Sequence, residues 1–310
     1  MIVSNKKIKM RCSVGTFCAV FLLTFHCAAE SPSWNGVKHW GYQLQDIKLN
    51  ELIASPFDLL VIDYSRDGSD SERFTQDEIE ILKNSRNGGR LVLAYLSIGE
   101  AESYRYYWRE SWKSERPSWL DRENPDWDEN FKVRYWDSEW HKIIFGYLDK
   151  ILAAGFDGVY LDIIDAYEYF MEQGQESAAD EMKQLVLEIA RYTREIKGKQ
   201  NFGIFPQNGE ELLSDTEYLS VITGIGKEDT YFGYDGENRR TPPKITSEIE
   251  KFLNMAKEAG KLVLNVDYTT TRKRVAKSYT RALSRGYVEY CASRELDRLI
   301  PQPWFSENSQ

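Results

Sequence analysis

The sequence predicts a single-domain (β/α)8 barrel, the TIM-barrel fold. Eight short apolar runs alternate with amphipathic helical stretches, a pattern typical of parallel α/β folds. Runs such as LLVIDY (59–64) and KLVLNVDY (261–268) are almost continuously apolar, as expected of parallel strands that are buried on both faces. An open doubly wound sheet is the alternative. The barrel is favoured because no glycine-rich phosphate-binding fingerprint follows the first strand.

The predicted elements follow one another along the whole chain after residue 36. The strands are expected at 37–44, 59–65, 91–97, 158–164, 202–207, 218–225, 262–268 and 286–292. The clearest helices are expected at 76–83, 139–154, 176–196, 247–259 and 271–283. Thr75 and Glu78 form a capping-box pattern, and Gly155, Gly260 and Gly286 stand where helices should end. The connection from 99 to 137 is predicted to be one long irregular loop, a kind of segment that is usually functional.

The N-terminus has the pattern of a secretory signal peptide over residues 1–29. Four basic residues lie between positions 6 and 11, an apolar run covers 14–25, and Ala28 and Ala29 provide a small-residue exit. The alternative is an uncleaved anchor, although the apolar run is short for a membrane span. Cleavage would remove three of the four cysteines and leave Cys291. We therefore predict a secreted or periplasmic barrel domain at 30–310, with no stable membrane span after cleavage.

The charge balance disfavours a nucleic-acid partner. The chain carries 49 acidic and 40 basic residues, a net charge of −9. Removal of the signal peptide, with its four positive charges, would make the balance about −13. Such a surface repels phosphate backbones, and no basic patch interleaves with aromatic residues. An acidic surface would attract a cationic substrate, or would simply keep the protein soluble.

Polar residues recur where the predicted strands end, which is where barrel active sites are built. We predict substrate contacts from strand-end residues all around the barrel: Tyr42, Asp63, Tyr64, Ser97, Glu100, Asn208, Glu228, Asp267 and Tyr268. Asp162 is the leading catalytic candidate, because it ends the apolar strand GVYLD, where an ionised carboxylate needs a polar cleft or a partner. The other reading of Asp162 is a structural carboxylate that pairs with a cation or caps the next loop.

A second carboxyl group would complete the pair that glycoside hydrolysis requires. One group protonates the leaving oxygen, and the other acts as nucleophile or activates water. Glu210 and Glu211, after the fifth predicted strand, are the catalytic candidates for this role, although one of them is expected simply to complement a helix dipole. Glu100, Glu102 and Glu228 are rivals that sequence position alone cannot rank.

Aromatic residues are concentrated in and just beyond the long connection. They are Trp108, Trp112, Trp119, Trp127, Trp136 and Trp140, with Tyr104, Tyr106 and Tyr107. Aromatic faces stack on sugar rings and on cations, which favours a carbohydrate site. The alternative is that about half of these residues pack into a small aromatic core of their own.

Other chemistries lack their usual motifs. There is no HExxH, no CxxC pair and no histidine cluster, so we predict no metal and no cofactor. There is also no GxSxG elbow and no Walker A motif. Carboxylate chemistry on a polysaccharide is the leading hypothesis, and a non-catalytic carbohydrate-binding barrel is the alternative.

Six segments at the predicted strand ends form a linked set of motifs. They are VIDYS (61–65), AYLSIGEAE (94–102), GFDGVYLDIID (155–165), PQNGEEL (206–212), GIGKEDTYFG (224–233) and LNVDY (264–268). Together they resemble glycoside hydrolase family 114, the endo-α-1,4-polygalactosaminidase family and its bacterial relatives. The resemblance spans essentially the whole chain after the signal peptide.

This resemblance implies a TIM barrel that cleaves α-1,4-linked, galactosamine-rich polysaccharide without a metal. In the family, an aspartate after the fourth strand and a glutamate after the fifth form the expected catalytic pair. Asp162 matches the first position, and Glu210 and Glu211 both lie near the second, with Glu210 slightly favoured. A deacetylated galactosamine polymer is cationic, which would give the acidic balance a purpose. The resemblance also favours hydrolysis with retention of configuration.

Overall fold

Eleven strands and eight α-helices lie within residues 33–300 and 302, the residues that the computed structural model describes. The strands are β1 Trp40–Gln43, β2 Leu59–Asp63, β3 Leu91–Ser97, β4 Glu100–Glu102, β5 Leu120–Glu123, β6 Asn130–Val133, β7 Gly158–Asp162, β8 Gly203–Pro206, β9 Gly224–Glu228, β10 Leu262–Tyr268 and β11 Val288–Ala292. The helices are α1 Leu49–Ala54, α2 Gln76–Lys83, α3 Ser138–Ala154, α4 Ala166–Glu172, α5 Ala178–Arg191, α6 Thr216–Val221, α7 Pro243–Glu258 and α8 Arg272–Arg285. The predicted signal peptide, 1–29, lies outside the described residues.

Eight of the strands are parallel and form the predicted barrel. The order β1-β2-β3-β7-β8 is hydrogen-bonded continuously, and β9-β10-β11 forms a second parallel ladder. A parallel bridge between Gln207 and Gly226 joins β8 to β9. At the remaining seam, the Trp40 indole on β1 donates hydrogen bonds to the carbonyl oxygens of Val288 and Asn265, at 3.0 and 3.2 Å.

Aromatic rings fill the interior of the barrel. Tyr42 on β1 and Tyr160 on β7 have ring centroids 5.2 Å apart, although two strands separate β1 from β7 in the sheet order. Trp40 also contacts Tyr160 and Tyr290, with centroids 6.1 and 5.8 Å apart. Rings from non-neighbouring strands meet in this way only when the sheet curves around them, as in a barrel.

The local signals at the helix ends are confirmed. Thr75 and Glu78 form the complete capping box at the start of α2. Gly155 and Gly286 end α3 and α8 in the left-handed conformation that favours glycine. Cys291 is buried on β11. No helix among the described residues has the length and apolar character needed to cross a bilayer.

The connection from 99 to 137 is not the irregular loop that the sequence suggested. It contains a small antiparallel sheet in the order β4-β6-β5. Its strands are only three or four residues long, and the mixed burial of β5 and β6 hides the period-2 pattern from a sequence reading.

The sixth barrel strand was predicted in the wrong place, at 218–225. Residues 216–221 form α6, because the Asp215 side chain accepts hydrogen bonds from the backbone N–H groups of Glu217 and Tyr218 at 2.9 and 3.1 Å. The true strand, β9, has the sequence GIGKE, and its two glycines depress the β-propensity that a sequence reading relies on.

Gly226 is needed because the Tyr160 phenol approaches its backbone. A Cβ atom at this position would lie 2.0 Å from the Tyr160 hydroxyl oxygen. We therefore expect Gly226→Ala to destabilise the fold by about 1–3 kcal/mol through overpacking. The measurement is the midpoint of urea unfolding.

Gly146 in α3 is the matched control, because no heavy atom lies within 4 Å of a Cβ built there. Gly146→Ala should leave stability unchanged or raise it by up to about 1 kcal/mol, through the higher helix propensity of alanine. A Gly226→Ala midpoint equal to that of the wild type would show that the barrel tolerates the extra methyl group.

Candidate active site

A cleft of about 670 Å³ opens at the C-terminal ends of the barrel strands. Its floor includes strand-end side chains from β1, β2, β3, β7, β9 and β10, and loops after β1, β3 and β11 form parts of its walls. This is the end of a (β/α)8 barrel at which catalytic groups are found. Five of the predicted substrate-binding residues line this cleft: Tyr42, Asp63, Asn208, Glu228 and Tyr268.

Asp162, at the end of β7, lies on the floor of the cleft. Its two carboxylate oxygens accept hydrogen bonds from the Tyr95 hydroxyl at 2.7 Å and from the Gln207 amide at 2.9 Å. Burial of the group, with the nearby charge of Glu228, raises the pKa of Asp162 well above its usual range. A carboxyl group with a raised pKa in a cleft is suited to hold or exchange a proton at neutral pH.

Glu228, at the end of β9, also lines the cleft, and its charge contributes to the raised pKa of Asp162. Its oxygens accept hydrogen bonds from the Asn208 amide at 2.9 Å and from the Tyr268 hydroxyl. Because two like charges in one enclosed site oppose each other, the Glu228 carboxylate adds to the effect of burial in raising the pKa of Asp162.

The dipeptide Gln207-Asn208, directly after β8, connects the two carboxylates. The Gln207 amide donates to Asp162, and the Asn208 amide donates to Glu228, each at 2.9 Å. The Tyr42 hydroxyl donates to the Gln207 carbonyl oxygen at 3.2 Å and so orients that amide. Asn208 has a φ of 61°, a left-handed conformation that asparagine tolerates better than most residues. The two acids are therefore held by one short, well-defined turn.

Asp63, at the end of β2, forms part of a buried charged group under one side of the cleft. Arg105 donates to Asp63 at 2.7 Å and to Glu102 at 2.6 Å, and all three side chains are almost fully buried. A buried guanidinium with two carboxylate partners holds both acids in fixed positions. The Tyr104 hydroxyl also donates to Glu102, at 2.6 Å.

Arg294, from the loop after β11, supports Glu228 from the other side. Its guanidinium donates to both oxygens of Asp229 at 3.0 and 2.9 Å, and it lies 4.2 Å from the ring centroid of Tyr268. Tyr268 in turn donates to Glu228. The stacked guanidinium thus restrains the phenol that orients the Glu228 carboxylate.

Glu210 and Glu211, the predicted catalytic partners of Asp162, do not line this cleft. Glu210 is buried and forms an ion pair with Lys227 at 3.0 Å. Lys227 also donates to the Asn208 side-chain oxygen at 3.2 Å, so Glu210 contacts the site only through other residues. Glu211 accepts a hydrogen bond from Tyr167 at 3.2 Å and lines a separate outer cavity.

Four predicted substrate-binding residues also lie away from the cleft. The Tyr64 hydroxyl donates to Asp70 at 3.0 Å, and the Ser97 hydroxyl donates to the Glu100 backbone oxygen at 3.0 Å. Glu100 is buried and accepts hydrogen bonds from Asn124 and Lys132, at 2.8 and 3.2 Å. Asp267 is fully buried and accepts hydrogen bonds from the Tyr231 backbone N–H and from the Ser278 hydroxyl on α8.

Asp267 makes stability depend on pH. Burial raises the pKa of Asp267 from 3.8 to about 6, so the folded state prefers its neutral form. Between these values the unfolded chain loses the proton while the folded protein keeps it, and stability falls as pH rises. We expect Asp267→Asn, which cannot ionise, to lose less stability between pH 4 and pH 6.5 than the wild type, by on the order of 2 kcal/mol.

Urea unfolding at the two pH values measures this difference. Glu110→Gln is the control, since its side chain is 77% exposed and the substitution should leave the pH dependence unchanged. Equal losses of stability in Asp267→Asn and wild type would contradict a raised pKa at Asp267.

Most of the predicted sugar-stacking aromatics pack against one another instead. Trp108 stacks on Phe131 with centroids 4.8 Å apart, and Trp119 contacts Trp112 and Trp140 at 5.0 and 5.1 Å. Trp127 differs from these, because it lines the cleft and is 54% exposed. The alternative of a small aromatic core is therefore confirmed for most of these residues, and sugar stacking stays a prediction for Trp127.

Sequence reasoning did not assign three residues that shape the site. Tyr95 lies inside an apolar strand, Arg105 follows the antiparallel strand β4, and Arg294 follows the last barrel strand. For Tyr95 the sequence offered one signal, a polar hydroxyl within the apolar strand β3. In the sheet, Tyr95 pairs in register with Asp63 and Tyr160. Arg105 and Arg294 carried no local signal, because their partners are distant in sequence.

The cleft is strongly acidic. Nine carboxylates and three guanidinium groups line it, and Arg105 and Arg294 are already paired with acids. Such a cleft concentrates cationic ligands. Among the described residues, no group of three or more His, Cys, Asp or Glu side chains has the geometry of a metal site. Two carboxyl groups in one enclosed cleft are chemically suited to proton transfer and to carboxylate-assisted substitution.

Comparison with solved structures gives the same fold. The glycoside hydrolase domain of PelA from Pseudomonas aeruginosa superposes with a TM-score of 0.66 at 17% identity, covering 86% of this chain and 99% of that domain. Ega3 from Aspergillus fumigatus superposes with a TM-score of 0.64 at 16% identity, covering 88% of this chain and 98% of that chain. At these identities the likeness concerns the fold.

Sequence comparison finds closer relatives. An uncharacterized protein of Methanocaldococcus jannaschii is 44% identical, with 87% of this chain and 80% of that protein aligned. An uncharacterized protein of Thermotoga maritima is 38% identical, with 84% and 81% aligned. The family model for glycoside-hydrolase family GH114 matches residues 25–304, nearly the whole chain. By this match and by its fold, the chain belongs to glycoside-hydrolase family GH114.

Proposed function

We propose that this protein hydrolyses α-1,4-linked, galactosamine-rich polysaccharide, with Asp162 and Glu228 as its catalytic pair. Family membership and fold support glycoside hydrolysis as the reaction class. The observation that carries the assignment of the pair is the shared environment of the two carboxyl groups, which the adjacent amides of Gln207 and Asn208 orient from one turn.

The proposed reaction adds one water molecule across a glycosidic bond. One carboxyl group donates its proton to the leaving oxygen while the C1–O bond breaks. The other carboxylate attacks C1 or activates the water that does so. The raised pKa of Asp162 favours its protonated form beside a second carboxyl group, and this division of labour needs one protonated and one ionised group. The Tyr95 hydroxyl donates a hydrogen bond to Asp162, and the Tyr268 hydroxyl donates one to Glu228. Each carboxyl group is thus oriented by a phenol.

The acidic cleft supports an amino-sugar substrate. A deacetylated galactosamine carries an ammonium group, which the excess of carboxylates would attract. Ega3, which shares the fold, is known in complex with galactosamine. A neutral polysaccharide would not be attracted by the negative charge of the cleft. We therefore expect charge to distinguish amino-sugar polymers from neutral ones.

A polymer panel tests the proposal. The protein is incubated with α-1,4-galactosamine polymer in its deacetylated form, with the same polymer fully N-acetylated, and with a neutral α-1,4-glucan. New reducing ends are expected from the deacetylated polymer, and raised salt should slow their release because it screens the cleft. The anomer seen first by NMR distinguishes retention from inversion. Release only from the neutral glucan would contradict the amino-sugar assignment, and binding without release would favour a non-catalytic barrel.

Export of the protein is proposed on the N-terminal sequence pattern. Cleavage after Ala29 would release a mature chain that begins at Glu30. Mass spectrometry of the exported protein, produced in a bacterial host, should give an N-terminus at Glu30. A membrane-retained chain that begins at Met1 would indicate an uncleaved anchor instead.

A further inference from the structure

Trp127 lines the cleft beside the proposed catalytic pair. The residue is 54% exposed, and no aromatic ring in the described part of the chain packs against it. The neighbouring Trp108, Trp119 and Trp140 are all packed into the aromatic cluster beneath. An indole that stays exposed forgoes the stabilisation that burial of apolar surface gives, and an open indole at a binding cleft points to a ligand that covers it.

The loop that carries Trp127 is firmly held. It connects β5 to β6, and the Asn124 backbone N–H donates to the Asn130 carbonyl oxygen at 2.7 Å. At its far side, the Glu129 backbone N–H donates to the Glu123 carboxylate at 2.9 Å, and the Glu129 carbonyl accepts from the Ser103 backbone N–H at 2.8 Å. Because the backbone is fixed on both sides, the indole is placed before any ligand arrives, which lowers the entropic cost of binding.

Polar groups suited to an amino sugar line the same cleft as Trp127. Asp128 and Asn130 line the same cleft, as does Tyr104, whose ring is 43% exposed. An indole face can cover the apolar face of a pyranose ring and can also attract an ammonium group. The Asp128 carboxylate adds a second attraction for that cation, and the Asn130 amide offers hydrogen bonds to hydroxyl groups.

We propose that Trp127, with Asp128, forms a sugar-binding subsite that is distal to the catalytic pair and takes an amino-sugar ring of the polymer. This inference rests on the proposed function. Trp127 lies in the loop between β5 and β6 of the inserted antiparallel sheet, whereas Asp162 and Glu228 lie at the ends of β7 and β9. We expect a polysaccharide that contacts both Trp127 and the catalytic pair to span more than one sugar, so that its length determines how tightly it binds.

The test measures binding without turnover. Calorimetric titration uses a long and a short oligomer of α-1,4-linked galactosamine in the Asp162→Asn background. Adding Trp127→Ala should raise the Kd for the long oligomer about 3- to 10-fold, as loss of one aromatic contact implies, and should leave the Kd for the short oligomer unchanged. Trp127→Phe, which keeps a flat ring, should recover most of the affinity.

Tyr234→Ala is the matched control, because Tyr234 is 55% exposed and does not line the cleft. It should change neither Kd. An unchanged Kd in Trp127→Ala, with the long oligomer still bound, would overturn the subsite and leave the proposed function standing. A long oligomer that fails to bind the Asp162→Asn protein at all, together with a wild type that releases no reducing ends, would overturn both.

Discussion

Asp162→Asn is expected to lower kcat on the galactosamine polymer about 10³-fold or more, because it removes one of the two groups that move protons or bond to C1. The amide nearly matches the carboxylate in size and can still accept the Tyr95 hydrogen bond. It carries no charge, so it also relieves the repulsion from Glu228 that helps to raise the pKa of Asp162. Initial rates of reducing-end release measure the effect.

Thermal unfolding separates this loss from misfolding. Since the ionised Asp162 carboxylate is disfavoured in its enclosed position, the variant should be at least as stable as the wild type at neutral pH. Loss of activity with equal or higher stability supports a catalytic role. Turnover within a factor of about 10 of the wild-type rate would sink the assignment of Asp162, since general acid–base groups contribute far more.

Glu228→Gln is the second substitution with a large expected effect. Glu228 is the proposed catalytic partner of Asp162, and its charge contributes to the raised pKa of that residue. Loss of the Glu228 carboxylate should therefore also lower kcat about 10³-fold. Glu210→Gln removes only the ion pair with Lys227, which contacts the site through Asn208, and it should cost less than about 10-fold. Glu211→Gln, in the separate outer cavity, should leave kcat close to the wild-type value.

Chemical rescue by small anions distinguishes the roles of the two carboxyl groups. Small anions such as azide replace a missing nucleophilic carboxylate or intercept a reactive sugar intermediate. Rescue of turnover in Asp162→Gly or Glu228→Gly therefore identifies the role of each carboxyl group from the anomer of the glycosyl azide product. If Glu210→Gln lost activity as severely as Glu228→Gln, the sequence-based assignment of the pair would be favoured over the one proposed from the structure.

The barrel could be predicted because most of its strands are recognisable from the apolar pattern of their own sequences. Buried parallel strands such as Leu91–Ser97 and Leu262–Tyr268 are almost continuously apolar, and their bounds follow from the sequence alone. The sixth strand lacked this signal, because Tyr160 requires a glycine opposite it at Gly226. The inserted antiparallel sheet was hidden for a different reason, since its strands are too short to show a period.

The candidate site was only partly predictable for a related reason. Asp162 ends an unmistakable strand, and its placement in the cleft agrees with that reading. Glu228 ends a strand whose position was predicted wrongly from the sequence. It was predicted to bind substrate, and Glu210 and Glu211 were preferred as catalytic residues. Glu210 forms an ion pair with Lys227 and does not line the cleft. Contacts of this kind join distant strands and leave no mark on local sequence.

The most direct test of the catalytic pair is the rate of reducing-end release from deacetylated α-1,4-galactosamine polymer by four proteins. They are the wild type, Asp162→Asn, Glu228→Gln and the double variant. Because the two carboxyl groups act in one reaction, the double variant should be no slower than about the slower single variant. Steady turnover by the wild type with near-complete loss in all three variants is the predicted result. A Glu228→Gln enzyme that turns over at the wild-type rate would contradict the pair.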